Sequence, residues 1–165
     1  MSTLFRDHYG NSQLSVRQIL KDPELFLAFG FGAGLFRFMP GTFGTAAAIP
    51  LYWGLVQTGN VVYGVATVAA IALGVRLCDR AAMKLQVHDY GGIVWDEVAG
   101  FLVTMLGISL TWQSLLAGFV LFRLLDILKP WPIKWLDRHV EGGLGIMLDD
   151  IAAGAIACLI LHYWF

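Results

Sequence analysis

Long apolar runs alternate with short polar breaks along this chain. The runs cover 25–38, 44–56, 61–78, 93–110, 115–128 and 144–165. A bilayer crossing needs about 20 residues, range roughly 17–25. Only 61–78 and 144–165 reach that length unaided. The others reach it by absorbing polar residues, several of them carboxylates. The pattern predicts an all-α chain, a polytopic membrane helical bundle with about five crossings. The glycine-rich N-terminal segment, the short run 25–38 with the Pro-Gly-Thr-x-Gly-Thr unit at 40–45, is expected to form a re-entrant loop rather than a crossing. Residues 1–24 read as a polar cytoplasmic segment without a hydrophobic leader, and 25–165 as a single membrane-embedded catalytic domain.

Composition strengthens the membrane reading. Of 165 residues, 58% are hydrophobic and 14% charged, and the mean hydropathy is +0.68. A soluble domain carries roughly 25% charged residues. The formal net charge of −1 excludes a bulk pull toward nucleic acid. Cys78 and Cys158 both fall in apolar runs and are expected to pack rather than pair.

Basic residues mark the cytoplasmic side. Arg6, Arg17 and Lys21 precede the first run, Arg76 lies at the end of 61–78 with Arg80 and Lys84 just after it, and Arg123 lies toward the end of 115–128 with Lys129, Lys134 and Arg138 between it and the last run. The breaks at 57–60 and 111–114 carry no charge. The amino terminus, 76–92 and 123–143 therefore face the cytoplasm. The uncharged turns face outward, and the last run leaves an aromatic anchor, Tyr163-Trp164-Phe165, outside.

Against that topology the carboxylates stand out. An ionised side chain at the bilayer centre costs at least ~2.5–3.5 kcal/mol. Yet Asp96 and Glu97 sit in IVWDEVAGFLV, Asp126 in LFRLLDILKPWP, and Asp149 and Asp150 in GIMLDDIAAG, with Asp89 just upstream of the first pair. Three segments thus deliver acids to one depth near the inner leaflet. The simplest use for them is to hold a cation, with Mg²⁺ suited to carboxylates plus a substrate phosphate. The plainer reading is that each pair favours a helix N-terminus or caps it.

Arg123, Asp126 and Lys129 are spaced i, i+3, i+6 on one broad helix face, and Pro130 and Pro132 end that helix. Arg123 offers a bidentate fork to phosphate and Lys129 a point charge. The alternative is an interfacial ion pair with snorkelling bases. In FGFGAGLFRFMPGTFGT, Thr42 and Thr45 follow Pro40, and backbone N–H groups before the apolar helix could receive phosphate. No Gly-Lys-Ser/Thr follows, so this is no P-loop; close packing through small residues also explains the glycines. His8, His88, His139 and His162 earn no role. A cation channel or transporter is the rival from another class, and it predicts acids spread through the membrane depth.

Taken together, GFGAGL with PGTFGT, then VHDYGGIVWDEVAG, then FRLLDILKPWPIKWLDRHVEGGLGIMLDDIAAG resemble the phosphatidylglycerophosphatase A family. The resemblance implies a multi-pass bacterial inner-membrane enzyme acting on an inner-leaflet phospholipid. It would remove the terminal phosphate of phosphatidylglycerophosphate with Mg²⁺ and release phosphatidylglycerol. It points to Asp96, Glu97, Asp126, Asp149 and Asp150 as essential, with Arg123, Lys129 and Asp89 next.

Overall fold

The structure, a computed structural model, describes residues 15–87 and 90–165. Every regular element among them is helical: α1 (Val16–Lys21), α2 (Pro23–Ala28), a 3-10 turn (Ala33–Leu35), α3 (Pro40–Val56), α4 (Asn60–Leu85), α5 (Trp95–Thr104), α6 (Trp112–Leu128), α7 (Ile133–His139) and α8 (Gly142–Trp164).

Local chemistry sets many of the boundaries. Ser15 and Gln18 form a capping box on α1, and Asp22 caps α2, whose first residue is Pro23. Thr111 and Ser114 cap α6 in the same reciprocal way. Helix α8 has no side-chain cap of its own. Asp79 on α4 supplies one, accepting from the Gly143 N–H at 3.4 Å.

The expected runs map onto these helices with three differences. The run 25–38 is not one helix. It breaks after Ala28 because Gly30, Phe31 and Gly32 all have positive φ, and Val94 then donates to the Ala28 carbonyl at 2.9 Å. The Pro-Gly-Thr unit is not a loop; it forms the first turn of α3. Helix α5 stops at Thr104, so at about 1.5 Å per residue it is roughly 15 Å long. Two helices, α4 and α8, are long and apolar enough to cross a membrane.

Helix α8 lies at the centre and packs against α4, α5, α6 and α7, most extensively against α5. The α5–α8 backbones meet at a pair of glycines. A Cβ on Gly154 would overlap the Gly100 carbonyl oxygen, and one on Gly100 would lie 2.9 Å from the Asp150 carbonyl oxygen. Small residues of this kind let helices approach where no hydrophobic effect drives them together. The outer faces stay apolar and exposed: Val61, Val65 and Val68 on α4, Leu116 and Val120 on α6, Leu159 on α8.

The two ends of the bundle differ in chemistry. At one end Tyr63 donates to the Leu102 carbonyl at 2.6 Å and Tyr52 to the Ile108 carbonyl at 3.1 Å, beside the uncharged turns. At the other end lie the basic clusters. There Lys84 pairs with Asp22 (2.5 Å) and Glu24 (2.8 Å), and Arg80 pairs with Glu24, clamping α2 onto α4.

Candidate active site

Three helices bring their acids together at the charged end. Asp96 and Glu97 occupy the first turn of α5, where the helix dipole favours negative charge. Asp126 sits in the last turn of α6. Asp149 and Asp150 lie about two turns inside α8, which begins at Gly142, so neither is a cap. Both are buried.

These five carboxylates form two groups. One oxygen each from Asp96, Glu97 and Asp150 lies within 4.8 Å of the others, and the same holds for Asp126, Asp149 and Asp150. Asp150 belongs to both. Four of their oxygens, Asp96 Oδ1, Glu97 Oε2, Asp149 Oδ1 and Asp150 Oδ2, are buried without a hydrogen-bond partner. Buried polar atoms are almost always partnered. Carboxylates packed this closely repel one another unless a cation or protons intervene. The donor set, oxygen only and anionic, suits a hard divalent ion such as Mg²⁺.

Two cations stand beside the acids. Arg123 Nη1 lies 2.6 Å from Asp126 Oδ2, one helical turn away, and 3.7 Å from Glu97 Oε1. The contact with Asp126 is close but poorly aligned, and Arg123 Nε and Nη1 make no hydrogen bond. Lys129 does not continue the α6 stripe. It is the C-cap, in the left-handed region at φ 42°, and its ammonium reaches Asp137 Oδ1 and Asp149 Oδ2, each at 2.5 Å. Arg123 thus pairs with Asp126 within α6, as the ion-pair alternative expected, but Lys129 leaves that stripe for acids on α7 and α8, and the Arg123 fork keeps unused donors. A cavity of about 240 Å³ opens on this array, lined by Asp96, Glu97, Asp126, Lys129, Asp137, Asp149 and Asp150.

Some expected positions lie elsewhere. The Thr45 side chain is fully buried and its hydroxyl donates back to the Gly41 carbonyl at 2.9 Å, so it is not offered to a phosphate. Thr42 lies in the first turn of α3, and neither threonine lines the cavity; Arg123 does not line it either but contacts two acids that do, Glu97 and Asp126. Asp89 and His88 fall outside the described residues.

Two residues at the site escaped the sequence reading. Asp137, in the stretch KWLDRH, drew no assignment from the sequence. Gly41 looked merely flexible. Its bare Cα faces the site, and a Cβ there would meet Glu97 Oε1 and lie 2.9 Å from Arg123 Nη2. Its place in the Pro-Gly-Thr unit was the one available signal.

Comparison with known proteins assigns the chain to a family. The family described as Phosphatidylglycerophosphatase A matches residues 26–165. A protein of that name from Escherichia coli (strain K12) is 45% identical over 150 residues, covering 88% of this chain and 87% of the relative. One of the same name from Haemophilus influenzae is 41% identical over 150 residues, covering 88% and 92%. A Bacteroides thetaiotaomicron protein, provisionally named a phosphatidylinositol-3-phosphatase, is 31% identical over 147 residues, covering 83% and 90%. No solved structure matches the chain.

Proposed function

The chain belongs to the phosphatidylglycerophosphatase A family, and on that premise we propose that it hydrolyses the terminal phosphomonoester of phosphatidylglycerophosphate to phosphatidylglycerol and inorganic phosphate, with Mg²⁺. The observation that carries this reading is the set of four unpartnered carboxylate oxygens beside a guanidinium with unused donors. Such a site accepts a cation and a phosphate together.

Asp96, Glu97, Asp126, Asp149 and Asp150 would hold Mg²⁺, which when bound polarises phosphoryl oxygens and acidifies water. Arg123 Nε and Nη1 donate to the non-bridging phosphate oxygens and orient the group. The Lys129 ammonium adds charge at the cavity rim. Asp149 and Asp150 on α8 are buried, which strengthens their electrostatic interactions. One of the four unpartnered oxygens takes the proton of the attacking water. The phosphorus–oxygen bond to the glycerol breaks, the same carboxyl group returns that proton to the glycerol oxygen, and phosphate leaves.

A lipid substrate needs its headgroup at this depth. We place the protein in the bacterial inner membrane with five crossings, made by α3, α4, the α5 region, α6 and α8, and with the site at the cytoplasmic face. Three features support this: the apolar outer faces, the two helices of spanning length, and basic clusters confined to the site end. Among the described residues every acid also lies on the site side of the bundle, which disfavours a channel lined through its depth.

The test is phosphate release by purified enzyme in detergent. Release from phosphatidylglycerophosphate is expected with Mg²⁺ and not after chelation. Asp96→Asn, Asp149→Asn and Asp150→Asn keep shape but lose charge, and each is expected to abolish turnover while the protein stays inserted. Full activity in two of the three would remove the site as drawn.

A further inference from the structure

The Lys129 ammonium is held from two sides. It donates to Asp149 Oδ2 and to Asp137 Oδ1, each at 2.5 Å. The Asp149 side chain is 10% exposed and that of Asp137 37% exposed, so the ammonium bridges the floor of the cavity and its rim. Asp137 belongs to neither carboxylate group, whereas Asp149 belongs to one, and Asp149 Oδ1 is buried and unpartnered.

Lys129 and a divalent cation therefore compete for Asp149. A lysine paired with Asp149 alone would neutralise it and force an arriving cation to break a buried ion pair. A second carboxylate at the rim shares the ammonium and draws it outward. We propose that Asp137 is a positioning residue that holds Lys129 at the cavity rim and so keeps Asp149 open to a divalent cation. The inference rests on the reading of the carboxylate array as a cation site. The plainer role, docking α7 onto the bundle, already has an anchor in the fully buried Ile133.

Mn²⁺ binding to the full-length enzyme in detergent, followed by the electron paramagnetic resonance of the free ion, separates these roles. Asp137→Ala is expected to weaken Mn²⁺ affinity roughly 10-fold, the scale on which partners of a metal ligand act. Asp137→Asn, which keeps shape and an acceptor, is expected to weaken it less, and Asp137→Glu to restore it. In a Lys129→Met background, Asp137→Ala is expected to leave Mn²⁺ affinity unchanged. Unchanged affinity with Lys129 present overturns the proposal, and so does a wild-type enzyme that binds no Mn²⁺. An equal loss in both backgrounds also overturns it, because that marks a general effect of lost negative charge. Phosphate release by the wild type runs in parallel: Mn²⁺ behaviour as expected without release would sink the lipid-phosphatase reading alone.

Discussion

At the scale of single residues, the site depends on a side chain that is missing. Gly41 lets Glu97 and Arg123 sit against the first turn of α3. Gly41→Ala relieves backbone entropy by up to ~1 kcal/mol, so the melting temperature should hold. It also displaces the carboxylate and the guanidinium, and misplacement by about 1 Å can cost 10²-fold. Turnover is expected to fall by about that factor; unchanged kcat/KM would show that the contact does not matter. Arg123→Lys separates phosphate binding from ion pairing. Loss of the fork is expected to cost about 2–4 kcal/mol in kcat/KM, by analogy with a lost oxyanion donor. The Arg123 pair with Asp126 is largely buried, but Lys keeps the charge that a purely structural pair needs, so a near wild-type value would return Arg123 to structure. The acids of α5, α6 and α8 were legible because hydrocarbon-like neighbours made them conspicuous. Asp137 was not, because it stands in a stretch of mixed polarity where an acid is unremarkable, and its partner lies eight residues back across a chain reversal.

At the scale of elements, the α5–α8 contact sets the distance between the two acid pairs. Gly154→Val would push a branched side chain into the Gly100 carbonyl. Loss of both thermal stability and activity is expected. Gly64→Ala on α4 is the control, since a Cβ there meets nothing within 4 Å. It should stabilise by roughly 0.5–1 kcal/mol and leave turnover intact; a destabilised Gly64→Ala would mean that α4 packs where its outer face looks open. The apolar pattern located six runs; α3, α4, α5, α6 and α8 occupy five of them, and 25–38 is broken after Ala28. It could not show that α5 is short. The run 93–110 stays largely apolar beyond its acid pair, but Gly107 turns at φ 76° and the carbonyls freed near it are taken by Tyr52 and Tyr63. Non-helical backbone is tolerated at membrane depth only where protein covers it in this way. That covering depends on residues some 40 to 56 positions away, which no local pattern reveals.

At the scale of the whole molecule, charge is polarised although the net charge is only −1. Reporters in the 57–60 turn and after Phe165 are expected on one side of the membrane, and a reporter in the 129–141 segment on the other. A carboxy-terminal reporter on the same side as 129–141 would break the five-crossing proposal. One further consequence comes from Asp150, the carboxylate common to both acid groups. A shared ligand makes two binding events thermodynamically linked: filling one group changes the charge that the other can offer. Cation titrations should therefore fit poorly to independent sites. Asp150→Asn alone should abolish as much binding as Asp96→Asn and Asp126→Asn combined, since a hinge pin removed disables both leaves of the hinge.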